Sequence, residues 1–326
     1  MNKSYLVIFT IFFIIYSCKK SSDESSSKSG AKTTSNTSCL ERFGINSEWS
    51  NETEVTINGY SANAMEPKIS YDQAVLFWND KPASDDQMNI HYAFKESGQY
   101  QYKGTLTGTV NNSALDGVPA IDNVGNFYFV SLRNYTATYA SIFGGLVNVT
   151  GPGTLEINSV ARADTNTSSN TNGIVDMDID VSWDGQQMIV SRASFSGATY
   201  PDTSRLEIFN INSRQTSTRS DSSSLLSSVN LDNCRVYAGS LSRDNLELYF
   251  TVMPSGAVPS GDKFKIAVAK RTSTSQAFTN PQIISAISGN YPEGPSPTFD
   301  DFSKTLFYHR FDSVSGKFKI YTVTRP

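Results

Sequence analysis

The chain has 326 residues, with 27 Lys+Arg against 31 Asp+Glu and a formal charge of −4. That balance excludes a broad nucleic-acid-binding surface, which needs a basic excess. Two histidines and three cysteines exclude most zinc, haem and iron–sulfur centres. With charged residues at 18% and aromatics at 12%, the composition points to β structure.

Residues 1–17 carry an export signal. Lys3 supplies positive charge, and Leu6 to Tyr16 form an apolar run interrupted only by Thr10. Such a run rises ~16 Å as a helix, too short for a ~30 Å bilayer core. The run ends in Ile15-Tyr16-Ser17-Cys18, which resembles the lipobox of bacterial lipoproteins, apart from the bulky Tyr16. The resemblance implies cleavage after Ser17, a diacylglycerol thioether on Cys18 and an acylated N-terminus. Several acyl chains together hold a protein firmly on a membrane. Lys19 and Lys20 follow Cys18, with no Asp; by the same resemblance this implies the outer membrane. Residues 18–38 are Ser-rich, with no apolar side chain longer than alanine after Lys20, and read as a flexible tether with a reach of ~21–25 Å.

Residues 39–326 repeat one pattern five times. The windows PKISYDQAVLFW, PAIDNVGNFYFV, IDVSWDGQQMIV, GSLSRDNLELYF and PTFDDFSKTLFY begin at Pro67, Pro119, Ile179, Gly239 and Pro297. The third column is apolar throughout (Ile69, Ile121, Val181, Leu241, Phe299). The fourth is a short polar residue (Ser70, Asp122, Ser182, Ser242, Asp300). Each unit reads as strand, polar turn, strand, then a third strand and a weaker fourth, of which Pro281–Ile284 is the clearest. Repeats of this period predict an all-β, five-bladed β-propeller, with a pair of β-sandwiches as the alternative. The fifth unit has no fourth strand of its own. Trp49 to Gly59 is expected to supply it and close the ring.

The repeated apolar–Ser/Asp–x–Asp pattern resembles the TolB-like, WD-repeat-like propeller repeat. Units two and five depart, with Val124 and Phe302 at the Asp position, and the family's second Pro is absent throughout. The resemblance implies fold, not activity.

Candidate chemistry is sparse. Cys39 and Cys234 are free to pair if the chain is exported. Asp176, Asp178 and Asp180 alternate with apolar residues, so a straight strand places them on one face as weak cation ligands. The plainer reading of that face is hydrated carboxylates lining a water-filled channel. Glu66, Asp122, Asp180, Glu293 and Asp300 are the carboxylates near inner-strand ends. Asp122 and Asp300 fall in the turn column. His91 and His309 read as strand residues, Gly144-Gly145 and Gly151-Pro152-Gly153 as turns, and Asp164–Gly173 and Ser213–Ser228 as solvated loops. No cofactor is expected. The functional expectation is a membrane-anchored cell-envelope lipoprotein that binds a protein or glycan partner without catalysis. The alternative is a glycan-cleaving hydrolase using channel carboxylates.

Overall fold

A computed structural model describes residues 38–81, 87–112, 115–163, 171–196, 201–213, 216–256, 260–300 and 303–326. The expected signal peptide, Cys18 and all but the last residue of the tether lie outside the described residues.

The chain forms five separate sheets, each hydrogen-bonded in the order inner to outer. Their innermost strands are Met65–Ile69, Asp116–Ile121, Ile174–Val181, Cys234–Leu241 and Asn290–Pro297. Each starts at one face of the ring, here the upper face, and descends to the polar turn on the lower face. Five apolar clusters fill the gaps between successive blades. Phe77 and Phe127 join blades one and two, Val130 and Val190 blades two and three, and Leu206 and Val236 blades three and four. Tyr249 and Tyr308 join blades four and five; Trp78 and Ile320 join five to one. That fifth contact makes the ring continuous. A sixth cluster, including Met65, Met177, Tyr237 and Tyr291, surrounds the upper end of the channel.

The recurring Ser and Asp have one shared function. In blade one the Ser70 hydroxyl donates to Asp72 at 2.6 Å and accepts the Val75 N–H at 2.9 Å. Ser182–Asp184 and Ser242–Asp244 repeat both bonds. A short side chain thus satisfies the backbone of a turn that strand pairing cannot reach. Blade two uses Asp122, which accepts the Val124 and Asn126 N–H groups. Blade five corrects the gapless alignment. There Thr298 takes the serine role, donating to Asp300 and accepting Thr305 N–H. Its turn is two residues longer, so Asp300 belongs with Asp72, not with Ser70.

Closure runs through the N-terminal arm. Ser50–Glu54 pairs antiparallel with Lys317–Thr324, placing Ser50 opposite Thr324 and Glu54 opposite Tyr321. The expected closing segment is longer than the real one. Ile57–Asn58 leaves blade five and adds to blade one, parallel to Tyr100 and Gln101. Upstream, Gly44–Asn46 pairs parallel with the outer strand of blade four. A disulfide joins Cys39 to Cys234, with Cα atoms 5.3 Å apart.

Two loop readings also change. Within Ser213–Ser228 the chain forms a strand, Thr216–Arg219, and a one-turn helix, Ser222–Leu225. Gly144-Gly145 lies inside the strand Ile142–Gly151 rather than in a turn. A Cβ on Gly145 would sit 2.7 Å from Ile157 and 2.8 Å from the Asn158 carbonyl, so glycine there serves close strand packing.

Candidate active site at the upper end of the channel

Each innermost strand is interrupted near its start by an irregularity in pairing. In four of them a residue takes positive φ: Glu66 (49°), Val118 (52°), Ala238 (49°) and Gly294 (64°). Such bulges re-aim side chains. These residues and Asp178 all stand four positions before the turn residue of their blade: Ser70, Asp122, Ser242, Thr298 and Ser182. One repeated position therefore forms a ring around the channel.

Three carboxyls and a histidine meet there. Glu66 comes from blade one, Asp178 from blade three, Glu293 and His309 from blade five. Asp178 is 4% exposed, Glu293 9% and the Glu66 side chain 11%, while His309 is fully buried. The Glu66 N–H donates to His309 Nδ1 at 3.1 Å, and Glu66 Oε1 lies 3.9 Å from the same nitrogen. Nδ1 is thus an acceptor, and the ring proton sits on Nε2. Burial lowers the imidazole pKa to about 3, so His309 stays neutral. The Tyr237 hydroxyl donates to Glu293 Oε2 at 2.7 Å. Gly294 gives Glu66 its space: a Cβ there would lie 2.5 Å from Glu66 Oε2.

Burial raises all three acids, and the charge of neighbouring carboxylates adds to it for Glu66 and Glu293. Desolvation lifts Asp178 to about 7, against hydrogen bonds from the Ala238 amide and Ser191. Desolvation also lifts Glu293 to about 7, opposed by the Tyr237 bond and the charge of Lys81. Glu66 is raised well above the usual carboxylate range by burial and then by the charges of Asp178 and Glu293. Lys81 stands at the mouth, its ammonium 5.2 Å from the Phe318 ring. Among the described residues, Asp178 Oδ2, Glu293 Oε1 and His309 Nε2 are buried without a hydrogen-bond partner. One ligand atom each from Glu66, Glu293 and His309 lie within 4.8 Å of one another, a set that could hold a small cation.

Below this ring the channel is plugged. Lys68 Nζ lies 2.5 Å from Asp180 Oδ1, and Ser240 donates to Asp180 Oδ2 at 2.5 Å. The cavity between the acid ring and this plug, lined by Glu66 and Asp178 above and by Lys68 and Asp180 below, is about 30 Å³, room for little more than a water molecule.

The candidate residues therefore separate. Asp176, Asp178 and Asp180 do not form a shared cation site. A bulge breaks their alternation between Asp176 and Asp178. Asp176 pairs with Arg192 at 2.8 Å, Asp180 pairs with Lys68, and only Asp178 joins the acid cluster. Asp176 and Asp180 are thus each neutralised by a basic partner of their own. Asp122 and Asp300 serve turns at the lower face. His91 contacts Asp80 and Tyr102 in blade one, away from the cluster. Tyr237 and Lys81 escaped the sequence reading, and His309 passed as a strand residue. Counting back four positions from each turn residue picks out Glu66 and Asp178; counting back five picks out Tyr237 and Glu293.

No protein-family model matches the chain, and no curated protein matches it in sequence. Solved structures do resemble it. One is a glycoside hydrolase, with a TM-score of 0.57 at 11% identity, covering 86% of this chain and 93% of that one. Another is Zg3597, a family 117 glycoside hydrolase from the marine bacterium Zobellia galactanivorans, with a TM-score of 0.51, 11% identity, and coverage of 85% and 90%. A third is an exo-1,5-alpha-L-arabinanase from a bovine ruminal metagenomic library, with a TM-score of 0.50, 10% identity, and coverage of 82% and 94%. At such identities the likeness establishes a shared fold. The expectation of a non-enzymatic binding platform is corrected by these observations. The upper channel gathers three carboxyls, on a fold that glycoside hydrolases use. The TolB-like resemblance gains no family match, although the propeller it implies is present.

Proposed function

We propose that the protein is a glycan-cleaving hydrolase working at the upper end of the propeller channel. The observation that carries this reading is the convergence of Glu66, Asp178 and Glu293 from three blades into one poorly solvated cluster, two of them poised near pH 7. Glycosidic cleavage needs one protonated and one ionised carboxyl. Glu66 has the strongest reason to keep its proton, since only unfavourable effects act on it. It donates that proton to the departing glycosidic oxygen. Glu293 ionises more readily than Glu66, because Tyr237 and Lys81 stabilise its charge. It serves as nucleophile or as base to a water. The anomeric configuration of the first-formed product, read by NMR, separates those two roles. Asp178 tunes Glu66, because its negative charge holds that proton in place.

The test is release of reducing sugar from a panel of polysaccharides, beginning with arabinan because one structural neighbour is an arabinanase. Glu66→Gln and Glu293→Gln should each lower kcat by about 10²–10⁴-fold. No turnover by the wild type on any polysaccharide, or full activity in both variants, sinks the assignment.

We also infer that the mature chain is held in the cell envelope, at the outer membrane, by lipid on Cys18. The support is the Ile15–Cys18 pattern and the polar segment that follows it. Cys18→Ala should move the protein from the membrane to the soluble fraction. An unchanged membrane fraction would refute the anchor. The kinship with TolB-like propellers rests on the repeat pattern alone.

A further inference from the structure

We propose that His309 is a positioning residue: its Nδ1 holds Glu66 in the left-handed backbone conformation that keeps the Glu66 carboxyl among the acids of the ring. The hold itself stands on geometry. Its consequence for turnover rests on the hydrolase reading, in which Glu66 is the acid.

Glu66 has a φ of 49°, a conformation that L side chains rarely adopt. Pairing of its strand with the next is interrupted between Met65 and Lys68. The Glu66 N–H turns out of the ladder there, and a poorly solvated N–H needs another acceptor. His309 supplies it across the seam where the ring closes, from the strand Thr305–Asp312 of the last blade. The bond from the Glu66 N–H to His309 Nδ1 is 3.1 Å long. Just upstream, the Ala64 N–H donates to the Phe318 carbonyl at 3.0 Å, and Asn63 Oδ1 accepts the Phe318 N–H at 2.9 Å. The approach to Glu66 is therefore pinned to two successive strands of blade five. That blade also brings Glu293, which pairs opposite His309 in the sheet. One bond thus sets the acid of the first blade against the acid of the last.

Packing alone does not call for histidine at this position. The ring is fully buried and stands edge-on to Phe318, with centroids 5.6 Å apart. Phenylalanine would fill similar space without bringing in a polar N–H. Histidine brings one: Nε2 is buried with no hydrogen-bond partner among the described residues, which costs free energy. What the ring offers in return is an acceptor at a fixed place. Nδ1 can accept only while it carries no proton. In that tautomer neither ring nitrogen is open to a cation, so the ring acts through Glu66. Gly294 completes the seat: a Cβ there would lie 3.2 Å from His309 Nδ1 as well as crowd the Glu66 carboxyl.

Two substitutions separate positioning from packing. Asparagine places Oδ1 where His309 has Nδ1, whereas phenylalanine keeps a ring and removes the acceptor. On the polysaccharide that the wild type cleaves fastest, His309→Phe should lower kcat about 10–100-fold and leave KM within about threefold. His309→Asn should recover most of the lost rate. A packing role predicts the reverse order of damage, because asparagine leaves a cavity and phenylalanine does not. Wild-type kcat in His309→Phe, or equal losses in the two variants, overturns the proposal. A second measurement needs neither variant nor substrate. The chain has two histidines, so nitrogen NMR of the isotope-labelled full chain resolves both imidazoles. His309 should be the neutral tautomer with its proton on Nε2, and Nδ1 should show a coupling through the hydrogen bond to the Glu66 amide nitrogen. A proton on Nδ1, or no such coupling, overturns the proposal even if His309→Phe fails to fold. No turnover by the wild type sinks the hydrolase reading, and the nitrogen coupling alone then upholds or overturns the hold on Glu66.

Discussion

Glu293 shows what a functional carboxyl costs at the scale of one residue. Its pKa is about 7 in the folded chain against an ordinary 4.5. Between those values the folded protein keeps a proton that the unfolded chain has released. Stability therefore falls as pH rises through that window. His309 acts with the opposite sign, because its lowered pKa removes stability as pH falls below about 6.5. Comparison with a variant isolates the glutamate. Glu293→Gln should match the wild type near pH 5 and exceed it by pH 8, by on the order of 1–3 kcal/mol, in urea denaturation across that range. Parallel pH profiles would mean that Glu293 is not strained by burial. The residue types at this site were partly legible in sequence. Glu66 and Glu293 stood among five candidate carboxylates, but nothing local distinguished them from Asp122 and Asp300. Those two cap turns, and the difference lies in which end of the strand each occupies.

At the scale of elements, local chemistry reads well and irregularity reads poorly. The Ser–x–Asp turns were visible because their hydrogen bonds close within five residues. The fifth unit was misread by two positions, because Thr298 replaces the serine and its turn is longer. That slip also concealed the equivalence of Gly294 with Glu66. The inner-strand bulges were invisible, and they make the alternating aspartates diverge. The N-terminal arm is the other element whose role depends on distant partners. It pairs in turn with blades four, five and one, and its start is fastened by the Cys39–Cys234 disulfide. Removing that link as Cys39→Ser should cost about 2–4 kcal/mol, measured by denaturant unfolding of oxidised protein. No loss would mean that the arm's strands hold it without the disulfide.

At the scale of the whole molecule, the ring turns a structural repeat into an asymmetric site. The same position in five blades bears Glu66, Val118, Asp178, Ala238 and Gly294. The fold supplies the geometry, and departures from the repeat supply the chemistry. The lower face keeps the regular turns, the Lys68–Asp180 plug fills the channel below the ring, and the acids gather toward the upper face. The division follows from the range of the forces involved. Side-chain alternation, turn capping and repeat spacing are short-range properties, so the amino-acid order alone determined the strands, the number of blades and the need for a closing segment. Which acids meet, which stay ionised and where the channel is blocked depend on contacts between residues more than a hundred positions apart in the chain. Only the closed ring sets those distances and removes the water, and so only the tertiary structure decided them.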